Sequence, residues 1–195
     1  MKKEILVFIS KNYADWESAY VCTVLNKPDT EFVVKTLALT KDPVKSMGGF
    51  TVLPDYSMDA PDELPSRFEM LILIGGDSWA EGINDDIKTM TDLCLKTGIP
   101  IAAICGACTF LADQGYLNDI AHTGNSAEYL EAAAPNYKGA SHFIEKQAVS
   151  ADGLITANGT SALEFAKAVF EYLNVMPKDE LEGWYQMFKA GYYNA

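Results

Sequence analysis

The sequence is short of positive charge, and this shortage excludes two classes of partner. Its 15 lysine and arginine residues are outnumbered by 27 aspartate and glutamate residues, which gives a formal net charge of -12. Nucleic-acid phosphates and anionic lipid headgroups are bound by basic surfaces, which such a composition does not readily supply. We therefore expect a protein that binds neither nucleic acid nor membranes.

Long hydrophobic runs are also missing. The first apolar segment, residues 5–9, is too short for the core of a signal peptide with its cleavage site. No later segment reaches the roughly 20 apolar residues that a membrane-spanning helix needs. We therefore expect a cytoplasmic protein.

Cysteine is scarce, and its pattern does not suggest a disulfide framework. The four cysteines are Cys22, Cys94, Cys105 and Cys108. Structural disulfides are rare in a reducing compartment, and a zinc site would need ligands from distant segments, because there is only one Cys-x-x-Cys pair. The sequence predicts no metal and no cofactor, so these thiols are either reactive or packed in the core.

Apolar runs of strand length alternate with segments of helical periodicity, which is typical of a parallel sheet covered on both faces. We expect an α/β, three-layer sandwich of the flavodoxin or Rossmann-like kind, with a mostly parallel central sheet. The whole chain, residues 1–195, reads as a single domain in which roughly the last 20 residues form a C-terminal helical extension. The predicted strands are residues 4–10, 32–39, 69–74 and 101–104, with a hairpin at 44–53 and two short strands around Asp152-Gly153. The predicted helices are one from Asp15 as N-cap to residue 26, one ending at Gly98, one from Cys105, and those at 127–134, 161–173 and 178–189.

Cys105 lies where a buried strand is predicted to pass directly into a helix. The carboxyl ends of parallel strands form the crevice in which such folds bind ligands. A side chain on so abrupt a turn resembles a nucleophile elbow, and a helix N-terminus favours the thiolate over the thiol. The alternative is a buried cysteine of the core.

Three further residues near predicted strand ends allow two interpretations each. Gly76, in a Gly-Gly pair, either brings a backbone amide close to an oxyanion or simply ends a strand flexibly. Glu17 is either an acid–base group or only a favourable charge in the first turn of a helix. Cys108, one turn after Cys105, is either a resolving thiol for oxidised Cys105 or a cysteine that faces the core.

Four segments carry a resemblance to a known family. The segments are Tyr13-Ala14-Asp15-Trp16-Glu17, residues 71–76, residues 102–107 and His122-Thr123-Gly124-Asn125. Their order and spacing resemble the ThiJ/PfpI family, within the class I glutamine amidotransferase-like superfamily, over roughly residues 3–173.

The resemblance implies a role for each of five residues. Cys105 resembles the elbow cysteine of the family, and Glu17 resembles the acidic residue that hydrogen-bonds its sulfur. Gly76 and Gly106 resemble the backbone donors around it, and His122 resembles the family histidine downstream of the elbow. The family also commonly forms homodimers, so the resemblance implies a homodimer here.

One feature of the superfamily is missing. Class I amidotransferases complete their triad with a C-terminal His-x-Glu pair. The two histidines of this chain, His122 and His142, are not followed by glutamate two positions on. This argues against glutamine hydrolysis.

Two hypotheses for function remain, because the features that make a thiol nucleophilic also make it oxidisable. The first is a cysteine-dependent hydrolase or glutamine amidotransferase-like enzyme, of protease or glyoxalase type, that acts on a small carbonyl or amide compound or on a peptide. The second is a non-enzymatic protein of the oxidative-stress response, redox-sensing or chaperone-like, whose thiolate is oxidised to a sulfenic or sulfinic acid.

Both hypotheses require the same local geometry. We expect Cys105 to adopt a positive φ, as elbow residues do. We expect the Glu17 carboxyl within hydrogen-bonding reach of the sulfur and, because burial disfavours a charged carboxylate, with a raised pKa.

Overall fold

A computed structural model of the chain describes residues 2–192. The strands are β1 (Lys3–Phe8), β2 (Phe32–Ala38), β3 (Val44–Lys45), β4 (Thr51–Val52), β5 (Tyr56–Ser57), β6 (Met70–Leu73), β7 (Ile101–Ile104), β8 (Ala148–Ala151) and β9 (Leu154–Ala157). The α-helices are α1 (Asp15–Leu25), α2 (Lys88–Thr97), α3 (Gly106–Asp113), α4 (Ala127–Ala133), α5 (Ala162–Leu173) and α6 (Lys178–Ala190). Short 3-10 turns occur at Pro61–Glu63, Asp77–Glu81, Asp85–Ile87 and Ala140–His142.

Seven of these strands form one central sheet in the order β5-β2-β1-β6-β7-β9-β8. Neighbouring strands are parallel, except that β8 runs antiparallel to β9 at one edge. The remaining two strands, β3 and β4, form a separate antiparallel hairpin. The predicted mostly parallel sheet and the predicted hairpin are thus confirmed.

The sheet is covered by helices on both faces, so the molecule has three layers. Successive side chains of β1 point to opposite faces, as the pleat of a strand requires. Ile5 and Val7 join the core formed with α1, α5 and α6, whereas Leu6 and Phe8 join the core formed with α2, α3 and α4. Every residue of β6 and β7 is buried, which explains why these strands read as uninterrupted apolar runs.

The beginning of α1 differs from the prediction in its capping. The helix does start at Asp15, but Ala14 occupies the N-cap position and provides no side-chain cap. The Asp15 carboxylate instead accepts a hydrogen bond of 2.6 Å from the backbone amide of Gly48, at the tip of the β3–β4 hairpin. This contact fixes the hairpin beside the first turn of α1.

The last helix, α6, covers part of the predicted C-terminal extension. It packs on α5 and α1 through aromatic rings: Trp184 lies 5.1 Å from Phe170, and Phe188 lies 5.2 Å from Tyr20, between ring centroids. Residues 193–195 of the predicted extension lie outside the described residues. Within residues 2–192, no helix combines the length and apolar character needed to cross a membrane.

Candidate active site

Cys105 is the single residue between β7 and α3, at the carboxyl edge of the sheet. Its backbone has φ 59° and ψ -124°, so the expectation of a positive φ is confirmed. The conformation is held by a hydrogen bond of 2.9 Å from the Cys105 amide to the carbonyl oxygen of Ala157 on β9. A non-glycine residue in this region is strained, and such strain concentrates at functional sites.

Glu17 projects from the first turn of α1 and is only 1% exposed. Its Oε2 accepts a hydrogen bond of 2.8 Å from the Gly75 amide, at the end of β6. Burial raises the pKa of the Glu17 carboxyl to about 7, although hydrogen bonds with the Cys105 side chain and the Gly75 amide act in the opposite direction. The Glu17 carboxyl and the Cys105 side chain are neighbours, because both lie against Gly75 and Gly159. The carboxyl titrates near neutral pH.

The Cys105 thiol is not activated by its position alone. Burial raises its pKa, and the negative charge of Glu17 raises it further. Hydrogen bonds from the Asn125 side chain and the Gly106 amide lower that pKa but do not outweigh burial. The first amide of α3 thus favours the thiolate, as expected, but burial and the Glu17 charge outweigh it. The Glu17 carboxyl is the titratable group that lies beside this thiol.

The two predicted backbone donors, Gly76 and Gly106, lie close to each other and line the same cleft as Cys105. A Cβ added at Gly106 would lie 2.9 Å from the Gly76 carbonyl oxygen, and a Cβ added at Gly76 would lie 2.5 Å from the carbonyl oxygen of Asn12. Gly76 is therefore needed where the loops after β1 and β6 meet. Among the described residues, the Gly76 amide has no hydrogen-bond acceptor, so it is available to a ligand.

The structure does not bring His122 to the thiol. The ring is fully buried, and it does not line the cleft that holds Cys105. Its Nδ1 lies 2.8 Å from the carbonyl oxygen of Ile120, and its Nε2 lies 2.7 Å from the Tyr137 hydroxyl. A carbonyl oxygen only accepts, so Nδ1 carries the proton and Nε2 accepts from Tyr137. Burial lowers the pKa of His122, which keeps the ring neutral.

Asn125, and not His122, is the residue of this segment that contacts the sulfur. Its Nδ2 lies 3.6 Å from the Cys105 Sγ, and its Oδ1 accepts a hydrogen bond of 2.9 Å from the Gly159 amide. Asn125 belongs to the segment that carried the resemblance, but nothing in the sequence distinguished it from His122, three positions earlier. An asparagine can donate to the sulfur, but it cannot take its proton.

The other three cysteines differ from Cys105 in their surroundings. Cys108 is fully buried, and its Sγ lies 3.4 Å from the carbonyl oxygens of Ala103 and Ala157. Burial raises the pKa of the Cys22 and Cys94 thiols to about 12, and it raises that of Cys108 as well. Cys108 thus faces the core, and a disulfide with Cys105 would require it to leave these contacts.

Cys105, Glu17, Gly76 and Gly106 all line one cleft of about 630 Å³. Further residues of α3, α4 and the segment after β6 also line this cleft. No group of three histidine, cysteine or acidic residues within residues 2–192 is arranged to hold a metal ion. The cleft is large enough for a small molecule or a few residues of a peptide.

A sequence model of the DJ-1/PfpI family matches residues 3–172, which include every residue of this site. The chain belongs to the DJ-1/PfpI family. The matched region ends within α5, so α6 lies beyond it.

Relatives in the DJ-1/PfpI family cover almost the whole chain. Two proteins of Bacillus subtilis (strain 168), both named as uncharacterized proteases, are similar: YdeA is 40% identical over 98% of this chain and 94% of its own length, and YoaZ is 37% identical over 96% and 91%. The crystal structure of a thiJ/pfpI family protein from Bacillus anthracis superimposes with a TM-score of 0.88 at 36% identity, covering 97% of this chain and 91% of that one.

Proposed function

We propose that the protein is a cysteine-dependent hydrolase in which Cys105 is the nucleophile and Glu17 is the acid–base group. The observation that carries this proposal is the buried Glu17 carboxyl, whose pKa of about 7 is matched to proton transfer at neutral pH, beside a thiol that needs a base. The names of the two Bacillus subtilis relatives favour a peptide or another amide as substrate.

In the first half of the reaction, the Cys105 thiol transfers its proton to the Glu17 carboxylate. The sulfur then attacks the carbonyl carbon of the substrate, and the amides of Gly76 and Gly106 stabilise the oxyanion that forms. Protonated Glu17 gives the proton to the leaving amine as the carbon–nitrogen bond breaks. The products are a free amine and a thioester on Cys105.

In the second half, water hydrolyses this thioester. The Glu17 carboxylate takes a proton from the water as its oxygen attacks the thioester carbonyl. The carbon–sulfur bond then breaks, the carboxylic acid leaves, and the proton returns to the sulfur. One water molecule is consumed per turnover, and His122 takes no part.

Turnover of a substrate panel tests this proposal. The panel contains peptides, simple amides and 2-oxoaldehydes, and the native chain is compared with Cys105→Ser and Glu17→Gln. We expect at least one compound to be turned over by the native protein and not by Cys105→Ser, with a rate about 100-fold or more lower in Glu17→Gln. Turnover that is unchanged in Cys105→Ser would contradict the proposal.

A second function is favoured by the donors that surround the sulfur. The Asn125 amide group, the Gly106 amide and the protonated Glu17 carboxyl are all placed to bond oxygen atoms on an oxidised Cys105. Hydrogen peroxide would oxidise the thiolate to a sulfenic acid, and a proton from Glu17 would let the second peroxide oxygen leave as water. A second peroxide would give the sulfinic acid with release of another water. Because Cys108 faces the core, we expect a gain of two oxygens on the Cys105 peptide after graded peroxide. A loss of two hydrogens would instead indicate a Cys105–Cys108 disulfide.

The proposed place of action is the cytoplasm. All four cysteines are free thiols in the structure. A reactive thiol without a disulfide partner is suited to a reducing compartment. Fractionation of cells that express the tagged full chain would test this location.

A further inference from the structure

The cleft around Cys105 is lined by negative charge. Asp77, Asp85 and Asp113 contribute carboxylates in addition to Glu17, whereas no lysine, arginine or histidine is among the described residues that line it. Asp77 and Asp85 are exposed, and the part of the chain that the structure describes offers them no ion-pair partner. A concave surface lined with one sign of charge attracts ligands of the opposite sign.

Aromatic rings lie among these carboxylates. Trp16 is 55% exposed and Tyr129 is 43% exposed, and both line the cleft together with Trp79 and Phe110. Exposed aromatic faces attract ammonium and guanidinium groups through their negative π-faces. Carboxylates and exposed rings in one cleft therefore favour the same kind of ligand.

A third observation points to a ligand within the cleft. Thr109, one turn after Cys105 on α3, lines the cleft and is only 9% exposed, yet its buried hydroxyl has no hydrogen-bond partner. A buried hydroxyl without a partner is destabilising, and such groups are rare in folded proteins. The hydroxyl oxygen is closed to solvent in this conformation, so the Thr109 side chain must rotate toward the cleft before a polar group of a bound substrate can supply the missing partner.

We propose that the cleft selects substrates that carry a positive charge next to the reacting carbonyl, and in particular peptides with lysine or arginine at that position. The proposal rests on the proposed hydrolase function for its chemistry, but not for its recognition. Asp77 and Asp85 bind the cationic group, and the rings of Trp16 and Tyr129 flank it. The Thr109 hydroxyl, after rotation toward the cleft, bonds a polar atom of the peptide.

Recognition can be tested without any turnover, by reaction of Cys105 with charged thiol reagents. Two methanethiosulfonates of similar size are compared, one with a trimethylammonium group and one with a sulfonate, and Cys105→Ser gives the background of the other thiols. We expect the ratio of the cationic to the anionic rate, normalised to the same ratio for free cysteine, to exceed about tenfold. We expect Asp77→Asn combined with Asp85→Asn to lower this ratio several-fold.

Asp62→Asn is the matched control, because it removes an exposed carboxylate that does not line the cleft. It should leave the ratio unchanged. High salt should lower the ratio, because the screening length falls to about 3 Å at 1 M. An equal normalised rate for the two reagents, or an equal loss in Asp62→Asn, would overturn the proposal.

Turnover then separates this proposal from the proposed function. Matched peptides with lysine, methionine or glutamate beside the scissile bond are compared by kcat/KM in the native protein, in the Asp77→Asn/Asp85→Asn variant and in Thr109→Val. We expect lysine to be preferred, the aspartate variant to lose this preference, and Thr109→Val to lower kcat/KM while leaving folding stability undiminished. Cysteine-dependent turnover without charge preference would overturn the substrate class and leave the hydrolase standing. A cationic preference of the thiol reagents without peptide turnover would overturn the hydrolase function and leave the recognition of cations by the cleft standing.

Discussion

At the scale of single residues, the site depends on two side chains that the sequence could identify and one that it could not. Cys105 directly follows a predicted strand, and Glu17 lies in the first turn of the helix after another, where ligand sites of parallel sheets form, so their positions could be predicted. Asn125 and His122 belong to one loop, and the direction of each side chain depends on contacts with Tyr137 and Gly159. Such distant contacts leave no signal in local periodicity.

Asn125 is expected to tune the reactivity of the thiol. Its hydrogen bond to Sγ lowers the pKa of Cys105, so Asn125→Ala should raise that pKa further and slow alkylation by iodoacetamide at pH 7.5 several-fold. The matched variant His122→Asn should lower the melting temperature, because it disturbs buried hydrogen bonds, while the alkylation rate stays native. Slower alkylation in His122→Asn, together with a native rate in Asn125→Ala, would instead indicate that His122 acts on the thiol.

Glu17 is expected to reduce the stability of the folded protein at neutral and alkaline pH. Its pKa is raised from 4.5 to about 7 on folding, so the folded state binds the proton more tightly than the unfolded state. Stability therefore falls as the pH rises from 4.5 to 7, by on the order of 3 kcal/mol in total. Glu17→Gln should be more stable than the native chain by about this amount at pH 8, and by little at pH 4, in urea denaturation.

Glu164→Gln provides a control of opposite sign. Hydrogen bonds from Lys189 and Tyr185 stabilise the Glu164 carboxylate and lower its pKa. This stabilisation is present at neutral pH and is lost as the pH falls through the folded pKa. Glu164→Gln should therefore be less stable than the native chain at pH 8.

A destabilised Glu17→Gln at pH 8 would contradict the account of Glu17 as a functional group whose burial lowers the stability of the folded protein.

At the scale of elements, long apolar segments could be predicted and short irregular ones could not. β6 and β7 are buried on both faces, so their sequences are continuous apolar runs. β5 has two residues, and the 3-10 turns Asp77–Glu81 and Asp85–Ile87 have five and three. Segments of this length are too short to show a periodic pattern of hydrophobic residues. The turn Asp77–Glu81 nonetheless forms one wall of the cleft, so its shape required the structure.

The contact between the loops after β1 and β6 is expected to tolerate no side chain at Gly76. An added Cβ would meet backbone atoms of Asn12 and Tyr13, which cannot move away as a flexible side chain can. Gly76→Ala should lower the free energy of unfolding by about 1–3 kcal/mol. Gly183→Ala, within α6 and with open space around it, should instead raise it by up to about 1 kcal/mol. Urea denaturation measures both, and equal effects would contradict this view of the loop contact.

At the scale of the whole molecule, homodimer formation stays a prediction. Phe50 and Leu53 on the β3–β4 hairpin are 68% and 71% exposed. Apolar surface of this kind is typical of a protein–protein contact, and we expect a second copy of the chain to cover it. Sedimentation should show a dimer at micromolar concentration that Leu53→Glu weakens and Leu93→Glu, on α2, does not. A native monomer throughout that range would refute the prediction.

The central claim, that Cys105 and Glu17 work as one acid–base pair, is tested most directly by the pH dependence of thiol alkylation. The pair with two protons has no thiolate, and it becomes reactive when one proton is lost near pH 7. Alkylation of native Cys105 by iodoacetamide should therefore rise through an inflection near pH 7, with Cys105→Ser as the background. In Glu17→Gln this inflection should disappear and leave a single titration of the thiol at higher pH. Superimposable profiles for the native protein and Glu17→Gln would contradict the account.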